Sequence, residues 1–308
     1  YILSNAVDDI RDRVTHIIRG QDGLANTPKQ ILIYNALGAP LPVFAHMSLA
    51  LDPKKAKISK RKHGEMVAVH YYREKGFLPW AMVNFLVLLG WSGSGSKEIY
   101  SPRELIQSFD LKGISKTNCV FNINQSDPRF FTDPKILNLN AHYLKSMPLR
   151  DLAREVVPFF KKEGLWQPEY ETRRNEWFLT ALDLLRERFH LLTDFTRAGR
   201  AYFSETAPLD PAAVEKHITA HPEMETWLPD LGRIIAGMDI FSEKSLESVL
   251  RDFIQKQGLK PAVLVNAVRV AVTGQAKGPD FMKSLMVIGK RRLAARLAAA
   301  GATPFISA

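Results

Sequence analysis

The sequence predicts a mostly helical protein that opens on a partial α/β unit, and three observations predict it. A β-branched run, a capped helix and a second apolar run follow one another before Leu51. From about Val67 onward, apolar residues recur at helical spacing with few interruptions. Prolines stand at the starts of these periodic segments and glycines at their ends, the asymmetry that marks helix boundaries.

Taken in order, THIIRG (Thr15 to Gly20) reads as a strand. NTPKQILIYNALG reads as a helix with Thr27 as cap, Pro28 at the first helical position, Gln30 three residues after the cap and Gly38 as its close. VFAHMSLAL (Val43 to Leu51) reads as one further buried strand. Strand, helix and strand then make a βαβ unit whose two strands run parallel. KKAKISKRKHG (Lys54 to Gly64) follows the second strand, where open α/β sheets place their ligands.

Beyond it, LPWAMVNFLVLLGWS reads as an apolar helix stopped at Gly90, GSGSKE (Gly93 to Glu98) as a turn and SPRE (Ser101 to Glu104) as a capping box. Three stripes keep helical spacing: Leu149, Leu152, Ala153, Val156 and Phe160; Phe178, Leu182, Leu185, Phe189 and Leu192; Leu246, Leu250 and Phe253. They read as core. KPAVLVNAVRVAVTG, from Pro261 to Gly274, reads as another helix, and KRRLAARLAAAG as an amphipathic helix with a solvated basic face.

The 308 residues suffice for two or three domains at roughly 100 to 200 residues each. With 46% hydrophobic and 24% charged residues, the composition is that of a soluble globular chain. No apolar run approaches the ~18 residues that span a bilayer, so no membrane partner is expected. Cys119 stands alone in a context that reads as buried, which excludes an intrachain disulfide and a CxxC zinc site. A reducing, cytoplasmic setting is the default expectation. A net charge of +10 fits a polyanionic partner, because neutralised phosphates release counterions; a solubilising surface charge fits equally. The chain opens on YILSNAV with no initiator Met and no signal-peptide pattern, and the expectation is that an amino-terminal part precedes Tyr1.

Six of the nine residues from Lys54 to Lys62 are cationic. Such a run fits a localisation tract, a solvated loop or a phosphate holder. Lys57 and Lys60, three apart, can reach adjacent oxygens of one triphosphate as point charges; no GxxxxGK[ST] loop occurs. His217 and His221 have a zinc-compatible spacing, but HITAH lacks the glutamate of HExxH and Pro222 follows it, so no metal is expected. Asp8 and Asp9, read as strand neighbours, point to opposite faces and look structural.

KISKR (Lys57 to Arg61) is similar to the KMSKS signature of class I aminoacyl-tRNA synthetases, in the form found in glutamyl-tRNA synthetases. The order of blocks agrees with that family: YILSNAVDD, THIIRG, DGLANTPKQILIYNALGAPLPVFAH, KISKR, YYREKGFLPWAMVNFLVLLGWS, NAVRVAVTG and GPDF. The resemblance covers essentially the whole chain. It implies the second half of a Rossmann-type catalytic domain with the KISKR loop at 1–65 and a helical stem-contact region at 66–147. Two all-α anticodon-binding subdomains would follow, at 148–202 and 203–308. Helices after the loop, rather than β-barrels, fit a bacterial-type glutamyl enzyme.

The resemblance also implies roles. Lys57 and Lys60 would stabilise charge on the phosphates of ATP, with Ser59 shaping the loop. Asp22 would lie near the adenylate, and the backbone of Leu49 and Ala50 at adenine. Tyr1, Asn5 and Arg19 would contact glutamate, the arginine as a bidentate fork. Arg61, Arg186 and Arg188 would contact tRNA, Arg188 by stacking or hydrogen-bonding a base; an ordinary solvated helix arginine is the other reading of that side chain. The implied function is ATP-dependent ligation of glutamate to the 3′ end of tRNA through a glutamyl-adenylate. ATP would be substrate with Mg2+ accompanying it and no protein-bound metal. The implied partners are tRNA(Glu), with tRNA(Gln) open, for a monomer; a non-catalytic tRNA-binding protein is the alternative.

Three departures stand out. Gln21, Asp22 and Gly23 replace an acidic pair followed by His or Trp. No HxGH stretch matches the HIGH motif, which implies a carboxyl-terminal part that binds tRNA but is inactive alone. VFNINQSDPRFFTDPKILNLNAHYL is longer than the family's form, leaving contacts near Asn138 to Tyr143 unassigned.

Overall fold

Helix α1 (Ile2–Arg11) buries Ala6 against helix α2 (Thr27–Ala36), which buries Tyr34 in return. Strands β1 (His16–Gly20) and β2 (Val43–Met47), on either side of α2 in sequence, pair in parallel with Arg19 beside His46 and Gly20 beside Met47. The expected βαβ unit is therefore present. The computed structural model describes residues 1–93, 95–122 and 132–300, in two units, Tyr1–Tyr143 and Leu144–Ala308. Ser94 of the GSGSKE turn and residues 123–131 of the longer stretch lie outside the described residues.

Three local expectations are corrected in the first unit. Asp8 and Asp9 stand on helix α1, not on a strand. Thr27 lies inside α2, with Asn26 before it as cap, and its hydroxyl turns to Arg19 instead of to the helix amides. The apolar run Val43 to Leu51 is not one strand. After Met47 the chain breaks, and β3 (Ala50–Leu51) pairs in parallel with β4 (Cys119–Val120). The break has a polar cause: the Leu49 amide donates to Asn118 Oδ1 at 2.9 Å and its carbonyl accepts from the Cys119 amide at 3.1 Å, drawing the backbone to a new partner.

Short helices α3 (Lys60–His63) and α4 (Val69–Lys75) lead to α5 (Pro79–Gly90), which starts at a proline as expected. Asn84 on α5 is fully buried and satisfied: Nδ2 donates to the Glu98 carbonyl, while Oδ1 accepts from the Tyr100 amide and the Tyr143 hydroxyl. Helix α6 (Pro102–Ser108) carries the capping box of Ser101 and Glu104 in both directions. Helix α7 (Pro134–Ser146) uses Asn140 Oδ1 to accept from the Leu78 amide at 2.8 Å.

Among the described residues, the regular elements of the second unit are all helices. Helix α8 (Leu149–Lys162) buries Leu152, Val156 and Phe160 against α9 (Asn175–Arg186), whose Phe178, Leu182 and Leu185 complete the stripe. Phe189 and Leu192 are buried as expected but lie beyond the end of α9. Then come α10 (Arg200–Phe203), α11 (Pro211–Val214), α12 (Met224–Ala236), α13 (Glu243–Gln257), α14 (Pro261–Thr273), α15 (Phe281–Ile288) and α16 (Lys290–Ala300). Gly232 lets α12 cross α16 closely, since a Cβ there would stand 2.9 Å from the Ala294 carbonyl oxygen.

The solvated basic face expected of α16 holds for Arg291, which is exposed, and is overturned for two other arginines. Arg292 and Arg296 are only 9% and 8% exposed. Arg292 donates to the carbonyls of Ile288, Tyr202 and Ser204, and Arg296 to those of Val272, Ala201, Ser204 and Glu205. The last carbonyls of a helix have no partner within it, and two guanidinium forks on one helix face supply donors to the ends of α10 and α14.

Candidate functional site

Arg19 is the penultimate residue of β1 and faces His46 across the strand pair, an arrangement fixed by the parallel register. Its Nη2 donates to Thr27 Oγ1 at 2.8 Å and to the Gly23 carbonyl at 3.1 Å, and its Nε to His46 Nε2 at 3.4 Å. Thr27 Oγ1 lies 3.1 Å from the same imidazole nitrogen, so Nε2 is the acceptor of the group and the ring proton belongs on Nδ1. The guanidinium also sits 5.7 Å from the centre of the Phe44 ring. Gly23 makes this packing possible, because a Cβ there would fall 2.6 Å from Arg19 Nε. Asn5, on α1, accepts at Oδ1 from Gln30 Nε2 at 2.7 Å. Tyr1 precedes α1 and is 97% exposed, with its hydroxyl outside this network.

The basic loop is closed on itself. Asp52, 5% exposed, accepts at Oδ2 from Lys62 Nζ at 2.7 Å and from His63 Nε2 at 3.2 Å, and at Oδ1 from the Ala56 amide at 2.8 Å. His63 Nδ1 in turn accepts from the Ser59 amide at 3.3 Å. The Lys62 ammonium, the Ala56 amide and His63 hold the Asp52 carboxyl well below the ordinary carboxylate range, against the opposing effect of burial. Ile58 donates its amide to the Ala50 carbonyl at 3.1 Å, laying the loop along β3. The loop thus engages Ala50, while Leu49 is held by Asn118 and Cys119.

Lys57 reaches back to Asp22, in the turn after β1, and this contact lowers the Asp22 carboxyl from its usual range. The ion pair ties the KISKR loop to the turn that holds Arg19. Lys60 and Arg61 are exposed, and their side chains have no partner among the described residues. Two positions that the sequence did not single out, Asp52 and His63, therefore shape the loop as much as Ser59 does. Among the described residues, no three His, Cys, Asp or Glu side chains gather as metal ligands; His221 stands beside Glu223 instead.

In the second unit, Arg188 lines a cavity of about 670 Å3 with Phe189, Tyr202, Asn266, Arg269 and Lys277. Asp194, the one carboxylate on the wall, is engaged by the amides of His190 and Leu191. Arg269 donates to the Pro279 carbonyl at 2.9 Å and lies 5.3 Å from the Phe281 ring centre; burial pushes its guanidinium pKa down. Arg188 has no partner among the described residues, so the cavity presents free positive charge beside aromatic surface. Arg186 does not share it. Its Nη1 donates to the Met147 carbonyl at 2.8 Å and its Nη2 pairs with Asp183 at 2.6 Å. Arg269 and Lys277 escaped the sequence reading because they stand some 80 residues from Arg188 in GPDF-flanking segments.

Residues 1–127 match the family model described as tRNA synthetases class I (E and Q), catalytic domain, and residues 151–301 match the model described as anticodon binding domain. The glutamate–tRNA ligase of Desulfotalea psychrophila is 47% identical over 301 residues, covering 98% of this chain and 61% of that protein. Glutamate–tRNA ligase 2 of Koribacter versatilis is 38% identical, with 96% of this chain and 59% of that protein covered. The crystal structure of a glutamate tRNA ligase from Elizabethkingia meningosepticum, in complex with its amino acid, superposes with a TM-score of 0.76 at 28% identity, over 98% of this chain and 60% of that one. The chain spans about 60% of the length of the relatives it matches.

Proposed function

The chain belongs to the glutamate–tRNA ligase family of class I synthetases, and from that premise we propose that it serves ATP-dependent ligation of glutamate to the 3′ end of tRNA(Glu). The α-carboxylate of glutamate would attack the α-phosphate of ATP, and a terminal ribose hydroxyl of tRNA would then attack the glutamyl-adenylate. Lys60 and Lys57 would stabilise charge on the phosphates and leaving pyrophosphate, which needs position and electrostatics but no covalent nucleophile. Ser59 contributes its amide to the loop closure rather than a reacting hydroxyl. Mg2+ would enter with ATP as part of the substrate.

Asp22 would stand near the adenylate, and Leu49 with Ala50 would lie along adenine. Arg19 and Asn5 would hold the amino-acid carboxylate, with Tyr1 closing over it. Arg61 would meet the tRNA backbone and Arg188 an unstacked base in the second unit's cavity, while Arg186, bonded to the Met147 carbonyl and Asp183, would hold the end of α9 that precedes Arg188. The segment boundaries at 65, 147 and 202 are proposed as the limits of catalytic, stem-contact and anticodon-binding parts.

The observation that carries this reading is the Lys57–Asp22 pair, which joins a phosphate-type loop to a carboxylate-type pocket. A non-catalytic tRNA-binding protein would have no need of that connection. The 308 residues hold no HxGH stretch, so on their own they are expected to bind tRNA without charging it. Filter binding of tRNA(Glu) across a salt series, with glutamylation measured on the same preparation, tests this. Salt-sensitive binding without charging is expected. No binding would sink the tRNA reading, and charging would sink the claim of inactivity; competition by tRNA(Gln) reads the specificity.

A further inference from the structure

Thr27 and Gln30 stand three residues apart in the first turn of α2, on one helix face, and both are polar and buried, at 9% and 2% exposure. Buried polar side chains on a helix are costly unless bonded. Each is bonded to a residue of the pocket described above. Thr27 Oγ1 accepts from Arg19 Nη2 and Gln30 Nε2 donates to Asn5 Oδ1. We propose that Thr27 and Gln30 are the positioning residues of this pocket, setting which donors Arg19 and Asn5 present to the carboxylate of an amino-acid ligand. The proposal rests on the reading of Arg19 and Asn5 as the glutamate site.

The donor inventory shows what positioning achieves. Arg19 carries five N–H bonds. Nε turns to His46, and the two on Nη2 turn to Gly23 and Thr27. The pair on Nη1 remains, so the arginine offers one nitrogen rather than the bidentate fork expected of it. Asn5 has its carbonyl end engaged by Gln30, which leaves its Nδ2 donors for a ligand. Had the amide stood the other way, an oxygen would face an incoming carboxylate. Gln30 holds this orientation although its own Oε1 is buried without a partner among the described residues, a state that is destabilising in general. A carboxylate would therefore be met by two donors on two residues, spaced by one i, i+3 step of α2.

The test uses the 308-residue chain with 15N-labelled arginine and asparagine side chains and l-glutamate as ligand. In the parent, the Arg19 Nη2–H signals are expected to be resolved and slowly exchanging, with one proton held by Thr27. Thr27→Val should broaden them and Thr27→Ser should restore them. Gln30→Glu can only accept, so it should invert the Asn5 amide and weaken l-glutamate about tenfold; Gln30→Met should weaken it without inversion and guards against misfolding caused by the added charge. Arg19 and Asn5 signals unchanged in Thr27→Val and Gln30→Met would overturn the proposal. Signals that change as expected while l-glutamate binds neither parent nor variants would uphold the positioning and sink the glutamate reading instead.

Discussion

Asp52 and His63, eleven residues apart, clasp the two ends of the basic loop: Asp52 Oδ2 accepts from His63 Nε2 at 3.2 Å, and His63 passes the connection to the Ser59 amide. The cations between them therefore project from a closed scaffold rather than from a free run. Asp52→Ala should open that scaffold, and trypsin at pH 8 should then cut after Lys57 and Lys60 faster than in the parent. Equal cleavage rates would show that the clasp does not order the loop.

The same carboxyl gives a pH dependence. Lys62, the Ala56 amide and His63 hold Asp52 below its ordinary range, so its folded value lies under the unfolded one near ~3.9. A depressed carboxyl contributes stability above the unfolded value, and that contribution is lost as pH falls through the folded one. Amide exchange at Ser59 and His63 should accordingly stay protected from pH 7 to about 4 and rise below it, beyond the intrinsic pH effect. Protection that falls between pH 7 and 5 would assign the clasp to another group.

Much of this was legible in the sequence, and the failures have a common cause. Strand β1, helix α2 and the capping box at Ser101 follow from periodicity and local chemistry, which act within a few residues. The break after Met47 was not legible, because a mostly apolar run hides a change of partner set by Asn118 and Cys119, about 70 residues away. Arg292 and Arg296 looked solvated for the same reason: the carbonyls that draw them inward belong to α10 and α14. Lys57 and Lys60 were picked out by charge pattern and Arg19 by the family resemblance, whereas Asp52, His63 and His46 carry no local signal, and Thr27 was read only as a helix cap; their partners emerge only when the fold assembles.

Gly23 gives a sharper prediction for the pocket. A Cβ at this position would stand 2.6 Å from Arg19 Nε and 2.8 Å from its Cδ. Gly23→Ala should therefore displace the guanidinium from Thr27 and His46 while leaving the β1–β2 pairing intact. Calorimetric titration should show l-glutamate affinity lowered roughly tenfold, about 1.4 kcal/mol, with thermal stability nearly unchanged. Unaltered affinity would mean that Arg19 does not act from the observed position.

Lys60 and Lys57 should separate by function. Lys57 is tied to Asp22, whereas Lys60 has no partner among the described residues. In a chain that includes the HIGH element, Lys60→Ala should lower ATP–pyrophosphate exchange by about 100-fold or more, as loss of a transition-state donor does, with tRNA affinity little changed. Exchange at the parent rate would remove Lys60 from the mechanism.

Arg186 and Arg188, two residues apart, should fail in opposite ways. Arg188→Ala should weaken an anticodon stem-loop of tRNA(Glu) by roughly 1 to 3 kcal/mol, the range for loss of a base contact, without lowering the melting temperature. Arg186→Ala removes donors from the Met147 carbonyl and Asp183 and should lower stability by about 1 to 3 kcal/mol with the smaller effect on binding. Matched melting curves and fluorescence anisotropy decide it, and the reverse pattern would exchange the two roles.

Arg296 is the most exacting case, because it combines charge, burial and four engaged donor contacts. Burial pushes its guanidinium down to about 10, still far enough above neutrality for the cation to persist at pH 7. Its Nη1 donates to the Val272 carbonyl at 2.6 Å, its Nη2 to those of Ala201 and Ser204 at 2.8 Å each, and its Nε to that of Glu205 at 3.3 Å. Arg296→Met keeps the apolar stem but strands the carbonyls, so the second unit should lose about 3 to 5 kcal/mol, the range for removing one partner of a buried charged network. At roughly 2 to 4 °C per kcal/mol for a unit of this size, the melting temperature should fall by about 10 °C. Arg296→Lys should recover little, because a single ammonium cannot reproduce a planar fork that reaches the ends of two helices at once. A loss below about 1 kcal/mol in the Met variant would mean that water replaces the guanidinium at these carbonyls, and that the buried face of α16 is held by packing alone.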